Sequence, residues 1–249
     1  MVPTSTFPPV LPDLDRRVAE AVSFYWRSRQ AQADKQREGG RSDQGARAAV
    51  TGGKQMDAFI GLVTELLLSA GIERDHIFVR SRIELPGFYR PTKEWDLLVV
   101  RDHQLIVALE TKSHVGSLGN NFNNRTEEAM GTALDLWTAY REGAFNRSAQ
   151  PWLGYLLLLE DCPASRKPTH PSEPHFPVFP EFKHASYAER YELFCRKLVR
   201  ERQYNAAVLL LSDKVQGLAG AHVEPADDLT FRQFARSLMA HAAAYGQDR

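Results

Sequence analysis

Trp95-Asp-Leu-Leu-Val-Val-Arg-Asp-His-Gln-Leu-Ile-Val-Ala-Leu-Glu-Thr-Lys112 holds two apolar runs of strand length, Trp95 to Val100 and Leu105 to Lys112, parted by the polar Arg101-Asp102-His103-Gln104. Such a pattern reads as an antiparallel hairpin. The second run is apolar on both faces. Strict alternation puts Leu105, Val107 and Leu109 on one side and Ile106, Ala108, Glu110 and Lys112 on the other, as in a central strand covered by helices. Charges at the end of so apolar a strand call for a reason other than packing.

With the turn inside 101–104, opposed residue numbers sum to about 205, which sets Asp96 beside Leu109 and Glu110. A one-residue bulge would bring Asp96 and Glu110 directly opposite, with Cβ atoms ~5 Å apart and both carboxylates aimed at one point. Carboxylates that close repel unless one is protonated or a cation binds between them. An all-oxygen site with two protein carboxylates suits Mg2+. Lys112, two residues along the strand, shares the face of Glu110. Together these residues fit phosphodiester hydrolysis. Asp96 and Glu110 would hold the metal, while Lys112 would orient and help deprotonate the attacking water or stabilise the charged transition state. Taken alone, the same three also fit a surface hairpin whose Glu110–Lys112 pair contributes less than ~1 kcal/mol.

The 249 residues can bury a single α/β domain with insertions. Hydrophobic content of 43% and charged content of 25% are those of a globular chain, which argues against wholesale disorder and against a membrane protein. No apolar run approaches the ~20 residues that cross a bilayer, and Met1 to Pro12 lacks the regions of a secretory signal, so a cytoplasmic location is expected. Cys162 and Cys195 lack metal-ligand spacing and are expected to stay thiols. Formal net charge is zero, so any nucleic-acid contact must rest on local charge. Between Arg27 and Lys54 the bases Arg27, Arg29, Lys35, Arg37, Arg41, Arg47 and Lys54 outnumber the acids Asp34, Glu38 and Asp43 beside two Gly-Gly pairs. This segment reads as a mobile basic arm, either a DNA contact or a solvated linker.

Helical spacing of Leu14, Val18, Val22 and Tyr25, and of Met56, Phe59, Ile60, Val63, Leu66, Leu67 and Ala70, predicts two helices around that arm, the second closed by Gly71. A short β-like run at His76 to Val79 precedes a loop, Leu85 to Pro91. A further helix is expected to begin at Asn124, capped by it with Glu127 reaching back, with the apolar stripe Met130, Ala133, Leu134, Trp137 and Tyr140. Leu153 to Leu159 and Ala206 to Leu211 read as strands. The Pro-rich Pro163 to Pro180 excludes regular structure and is expected to form an ordered insertion. Ser186 with Glu189 and Thr230 with Gln233 form capping boxes that open the last two helices. The chain thus reads as one domain: residues 1–54 an N-terminal helix and basic arm, 55–160 the catalytic core, 161–185 the Pro-rich insertion, 186–249 C-terminal helices and a strand.

The order α, β, β, α, β with Asp96 opening one strand and Glu110-Thr111-Lys112 ending the next resembles the PD-(D/E)xK nuclease superfamily, although Trp95 stands where a proline is usual and the nearest proline is Pro91. Longer strings are more specific. Leu85-Pro-Gly-Phe-Tyr-Arg-Pro-Thr-Lys-Glu-Trp-Asp96, Lys112-Ser-His-Val-Gly116, Gly119-Asn-Asn-Phe-Asn-Asn-Arg125 with Glu127-Glu-Ala129, and Pro174-His-Phe-Pro-Val-Phe-Pro-Glu-Phe-Lys183 resemble the XhoI restriction endonuclease family over roughly Gln44 to Arg202. The resemblance implies a restriction-endonuclease-like core, a central mixed sheet flanked by helices. It also implies a homodimeric type II enzyme that recognises the palindrome CTCGAG and cuts each strand after the first C with Mg2+, protected against by a companion methyltransferase. The catalytic roles carry over to Asp96, Glu110 and Lys112. A repair or junction-resolving nuclease of the same fold, or a non-catalytic DNA-binding protein, stays open beside it.

Asn120, Asn121, Asn123 and Arg125, expected in a loop beyond the catalytic strand, are the candidates for base contact, since Asn amides pair adenine edges and Arg pairs guanine. A turn and helix cap would use the same asparagines. Arg90 and Lys93 are candidates for backbone contact. His114 is expected to be a polar supporting or DNA-facing residue, and Glu65, a possible extra carboxylate, to face solvent. His170, His175, Phe176, Phe179 and Phe182 fit either a dimer or DNA surface or the packing of the insertion itself.

Overall fold

The computed structural model describes residues 11–38, 54–146 and 148–246. Two long helices, α1 (Leu14–Glu38) and α2 (Asp57–Ser69), come first. The strands β1 (Ile77–Phe78), β2 (Glu84–Pro86), β3 (Thr92–Glu94), β4 (Leu97–Arg101) and β5 (Gln104–His114) follow. Then come α3 (Leu118–Arg141), β6 (Trp152–Glu160), the single turn α4 (Pro163–Arg166), α5 (Tyr187–Arg200), β7 (Ala206–Ser212) and α6 (Phe231–Gly246).

Five strands form one mixed sheet in the order β1-β4-β5-β6-β7, antiparallel from β1 to β5 and parallel from β5 to β7. Parallel strands β5, β6 and β7 need crossovers, which α3 and the insertion with α5 supply. Helices cover both faces. On one, Leu97, Val107, Leu109, Leu156, Leu158, Val208 and Leu210 pack with α1, α2 and α6. On the other, Leu98, Ala108, Leu157, Leu159, Leu209 and Leu211 pack with α3 and α5. This is the expected mixed α/β core between helices.

The apolar positions expected on α1 and α2 are buried, and Gly71 ends α2 with φ 92°, as read from the spacing. The Ser186–Glu189 box is formed, with Ser186 N–H donating to Glu189 Oε2 at 2.7 Å and Glu189 N–H to Ser186 Oγ at 3.3 Å. At α6, the Gln233 N–H donates to Thr230 Oγ1 at 3.2 Å.

Four expectations are corrected. The basic segment from Arg27 is not wholly an arm, because α1 continues to Glu38. Arg, Gln, Ala and Lys favour helix, and no glycine interrupts the chain before Gly39. Arg41, Arg47 and the two Gly-Gly pairs lie outside the described residues. Second, α3 begins at Leu118 rather than Asn124. Buried Leu118 and partly buried Phe122, whose ring lies 4.8 Å from Tyr191 and 5.8 Å from Tyr187, anchor an Asn-rich turn that intrinsic propensity would not favour. Its buried stripe is Ala129, Ala133, Leu136 and Ala139, while Met130 and Leu134 are exposed. Of the expected stripe, Ala133 is buried and Trp137 and Tyr140 pack, partly buried, against the same core, so only Met130 and Leu134 turn outward. Third, Leu85 to Pro91 is the tip of a hairpin between β2 and β3 rather than a plain loop. Fourth, Pro163–Arg166 is a helical turn, with proline at the first helical position where its missing N–H costs nothing. Beyond it the insertion is tied down by Thr169, whose N–H and hydroxyl both donate to the Ala185 carbonyl.

Candidate active site

The β4–β5 hairpin turns through Asp102 and His103, both in the left-handed region at φ 50° and 60°, the geometry of a two-residue primed turn. Pairing runs Arg101↔Gln104 and Val100↔Leu105, then shifts by one to Val99↔Val107, Leu98↔Ala108 and Leu97↔Leu109. The extra residue is Ile106. It turns onto the face of Val107 and Leu109, and Leu105 onto that of Ala108. That exchange reverses the sides expected for Leu105 and Ile106, since a bulge breaks the two-residue period. Beyond it the Asp96 N–H donates to the Leu109 carbonyl at 3.1 Å, which sets Asp96 across from Glu110.

Asp96 accepts two hydrogen bonds on one oxygen, from the Thr111 N–H at 2.6 Å and the Thr111 hydroxyl at 3.0 Å. Burial pushes its carboxyl above the usual range and the charge of Glu110 adds to that rise, which the Thr111 bonds and Lys112 only partly offset. Glu110 is 3% exposed. Lys112 Nζ meets its Oε1, and Lys93 Nζ lies 2.6 Å from its Oε2. Burial alone would raise the Glu110 carboxyl, but the two ammonium groups outweigh it and hold the group below its ordinary value. Burial would likewise favour neutral Lys112, yet Glu110 and then Asp96 keep it protonated.

Among the described residues no cluster of three or more His, Cys, Asp or Glu side chains is disposed to hold a metal. Two carboxylates on neighbouring strands offer only oxygen donors, too few for a closed zinc site. They fit a hard ion such as Mg2+, which keeps several waters or substrate oxygens.

The other candidate residues fall in different places. Arg90 Nε donates to Asp135 at 2.7 Å instead of standing free. The Phe88 and Tyr89 N–H groups donate to the same carboxylate at 2.7 and 2.8 Å, so the β2–β3 tip is wrapped around a buried acid of α3. Lys93 reaches Glu110 and so joins the acidic pair. Asn120, Asn121, Asn123 and Arg125 lie in the first two turns of α3, not in a loop. Arg125 pairs with Glu128 at 2.8 Å, in the part of α3 that follows directly on β5. His114 is buried, and its Nδ1 lies 2.6 Å from the Tyr191 hydroxyl. Burial, then the charge of Arg125, keeps it below the usual histidine value. Glu65 is half-exposed and pairs with Arg17, in accord with the expectation that it faces solvent. In the insertion, Phe176 and Phe179 are exposed and His170 Nδ1 lies 3.2 Å from His184 Nδ1.

Sequence reasoning missed the place of Lys93 on Glu110 and the cradle that Thr111 makes for Asp96. The first depends on a contact between separate elements. Thr111 stood between two residues already singled out, and its backbone N–H was the available signal.

A family model described as restriction endonuclease XhoI matches residues 35–224. The type II restriction enzyme BstVI of Geobacillus stearothermophilus is 55% identical over 207 residues, covering 81% of this chain and 92% of that protein. The type II restriction enzyme AbrI of Azospirillum brasilense is 51% identical over 159 residues, 63% of this chain and 71% of its own. The type II restriction enzyme XhoI of Xanthomonas vasicola is 46% identical over 192 residues, 76% and 77% respectively. No solved structure matches the chain.

Proposed function

The chain belongs to the XhoI restriction endonuclease family, and on that premise we propose that it is a type II restriction endonuclease acting on double-stranded DNA at CTCGAG. Cleavage falls after the first C of each strand and depends on Mg2+. The observation that supports this reading best is the register of one hairpin: the bulge at Ile106 sets Asp96 across from Glu110, with Lys112 against the same carboxylate.

Asp96 and Glu110 would hold Mg2+, which when bound supplies charge to the phosphoryl oxygens and a water of lowered pKa. Thr111 orients Asp96 by two donors to one oxygen, restricting how the carboxylate turns. Lys112 lies against Glu110 with its ammonium group, and the part proposed for it is that of a donor. It orients the attacking water and stabilises the charge that builds on the phosphoryl group, instead of accepting a proton. Asn120, Asn121, Asn123 and Arg125 are proposed to meet DNA from the end of α3 nearest the carboxylates, the amides toward adenine and the guanidinium toward guanine. Arg90 is proposed to set the hairpin tip through Asp135 and to approach the backbone from there.

A palindromic site is read by a two-fold dimer, each subunit taking one half-site. We therefore propose a homodimer, in a cytoplasm whose DNA a companion methyltransferase protects. Among the described residues no helix is long and apolar enough to cross a membrane. The experiment is digestion of a mapped plasmid with and without chelator. Discrete fragments at CTCGAG that vanish with chelator are expected. Structure-dependent nicking, or no cutting in Mg2+, would reject the proposal.

A further inference from the structure

Glu110 is neutralised twice, and only one of its partners comes from its own strand. Lys93, on β3, reaches it from the small hairpin. The ammonium lies 2.6 Å from Glu110 Oε2 and 2.6 Å from the Glu94 carbonyl, to both of which it donates. It also stands 4.4 Å from the centroid of the buried Trp95 ring. A carboxylate, a carbonyl and an aromatic face thus hold a side chain that is only 13% exposed.

This immobilised charge occupies one of the carboxylate oxygens that a divalent ion would need. Two cations on one oxygen repel, and at short range in a poorly solvated place that repulsion is strong. We propose that Lys93 is a positioning residue that holds Glu110 before metal loading and competes with the divalent ion for Oε2. Loading then requires the ammonium to leave that oxygen, and the released charge becomes available to a substrate phosphate. Metal and DNA affinity are in that case coupled through one side chain. The inference rests on the reading of Asp96 and Glu110 as the metal-holding pair.

The test is Mn2+ binding to the intact protein without DNA, followed by the electron paramagnetic resonance of free Mn2+. Lys93→Met removes the charge while keeping the alkyl stem over Trp95, and Lys93→Gln keeps a donor. In either variant that melts like the wild type, the Kd for Mn2+ should tighten by roughly tenfold. The Mg2+ concentration for half-maximal single-turnover cleavage should move the same way. Unchanged or weaker Mn2+ affinity would overturn the proposal and leave the two-carboxylate reading standing. Mn2+ affinity that survives Glu110→Gln would overturn that reading, and this inference with it.

Discussion

Burial of an ammonium ordinarily favours its neutral form, yet Lys112 lies against Glu110, whose charge, helped by that of Asp96, favours the protonated form. Replacing it by Ala should lower single-turnover cleavage by roughly a hundred- to a thousandfold, the scale on which a lost transition-state donor acts. Binding of CTCGAG duplex in Ca2+ should survive, which fluorescence anisotropy would report. Lost binding with retained cutting would reverse the role given to it. Asp135 is a second residue whose worth is electrostatic. Burial opposes its ionisation, but the Tyr89 and Phe88 N–H groups and Arg90 hold its carboxyl below the ordinary aspartate value. Asp135→Ala leaves those donors without an acceptor and should cost about 2–3 kcal/mol in urea unfolding. A depressed folded-state pKa stabilises above the unfolded value, near ~3.9, and the benefit is lost as pH falls through the lower folded value. The gap between wild type and variant should therefore be full at neutral pH and close in acid; a gap that widens in acid would contradict the assignment.

The hairpins are the elements that assemble the site. In β4–β5 the two apolar runs and the polar turn were legible from the sequence, as was the need for a bulge if Asp96 and Glu110 were to meet. Its location at Ile106 was not, because either strand could have absorbed an extra residue with little local difference. The β2–β3 tip was read only as a loop, since three-residue strands carry too short a pattern to recognise. That tip depends on Gly87: a Cβ there would lie 2.5 Å from Asp135 Oδ2 and 2.6 Å from the Arg90 carbonyl. Gly87→Ala should therefore lower stability by about 1–3 kcal/mol through overpacking. In an Asp135→Ala background the added cost should shrink, a coupling that a double-mutant cycle in urea measures. Additive costs would mean that the two residues do not share the contact.

At the scale of the molecule, two helical layers enclose the five-stranded sheet and leave the ends of β4 and β5 that carry Asp96 and Glu110 near the start of α3. With no net charge on the chain, affinity for DNA has to come from where charges are placed, not from their sum. The proposed homodimer predicts a light-scattering mass twice that of the chain, and a duplex with a full palindrome bound far more tightly than one with a single half-site. A monomer that binds both duplexes equally would contradict it.

Asp96, Glu110 and Lys112 could be grouped before any fold was known, because strand periodicity and the length of a turn are local properties that neighbouring residues specify. The core helices and the Ser186 cap were legible for the same reason. The tertiary structure alone decided that Lys93 rests on Glu110, that α3 begins at Leu118 and turns Met130 and Leu134 outward, and that Arg90 serves Asp135. Those outcomes depend on which side chains meet across elements distant in the chain. Burial and charge pairing then override the local preferences of an asparagine-rich turn or an exposed-looking lysine.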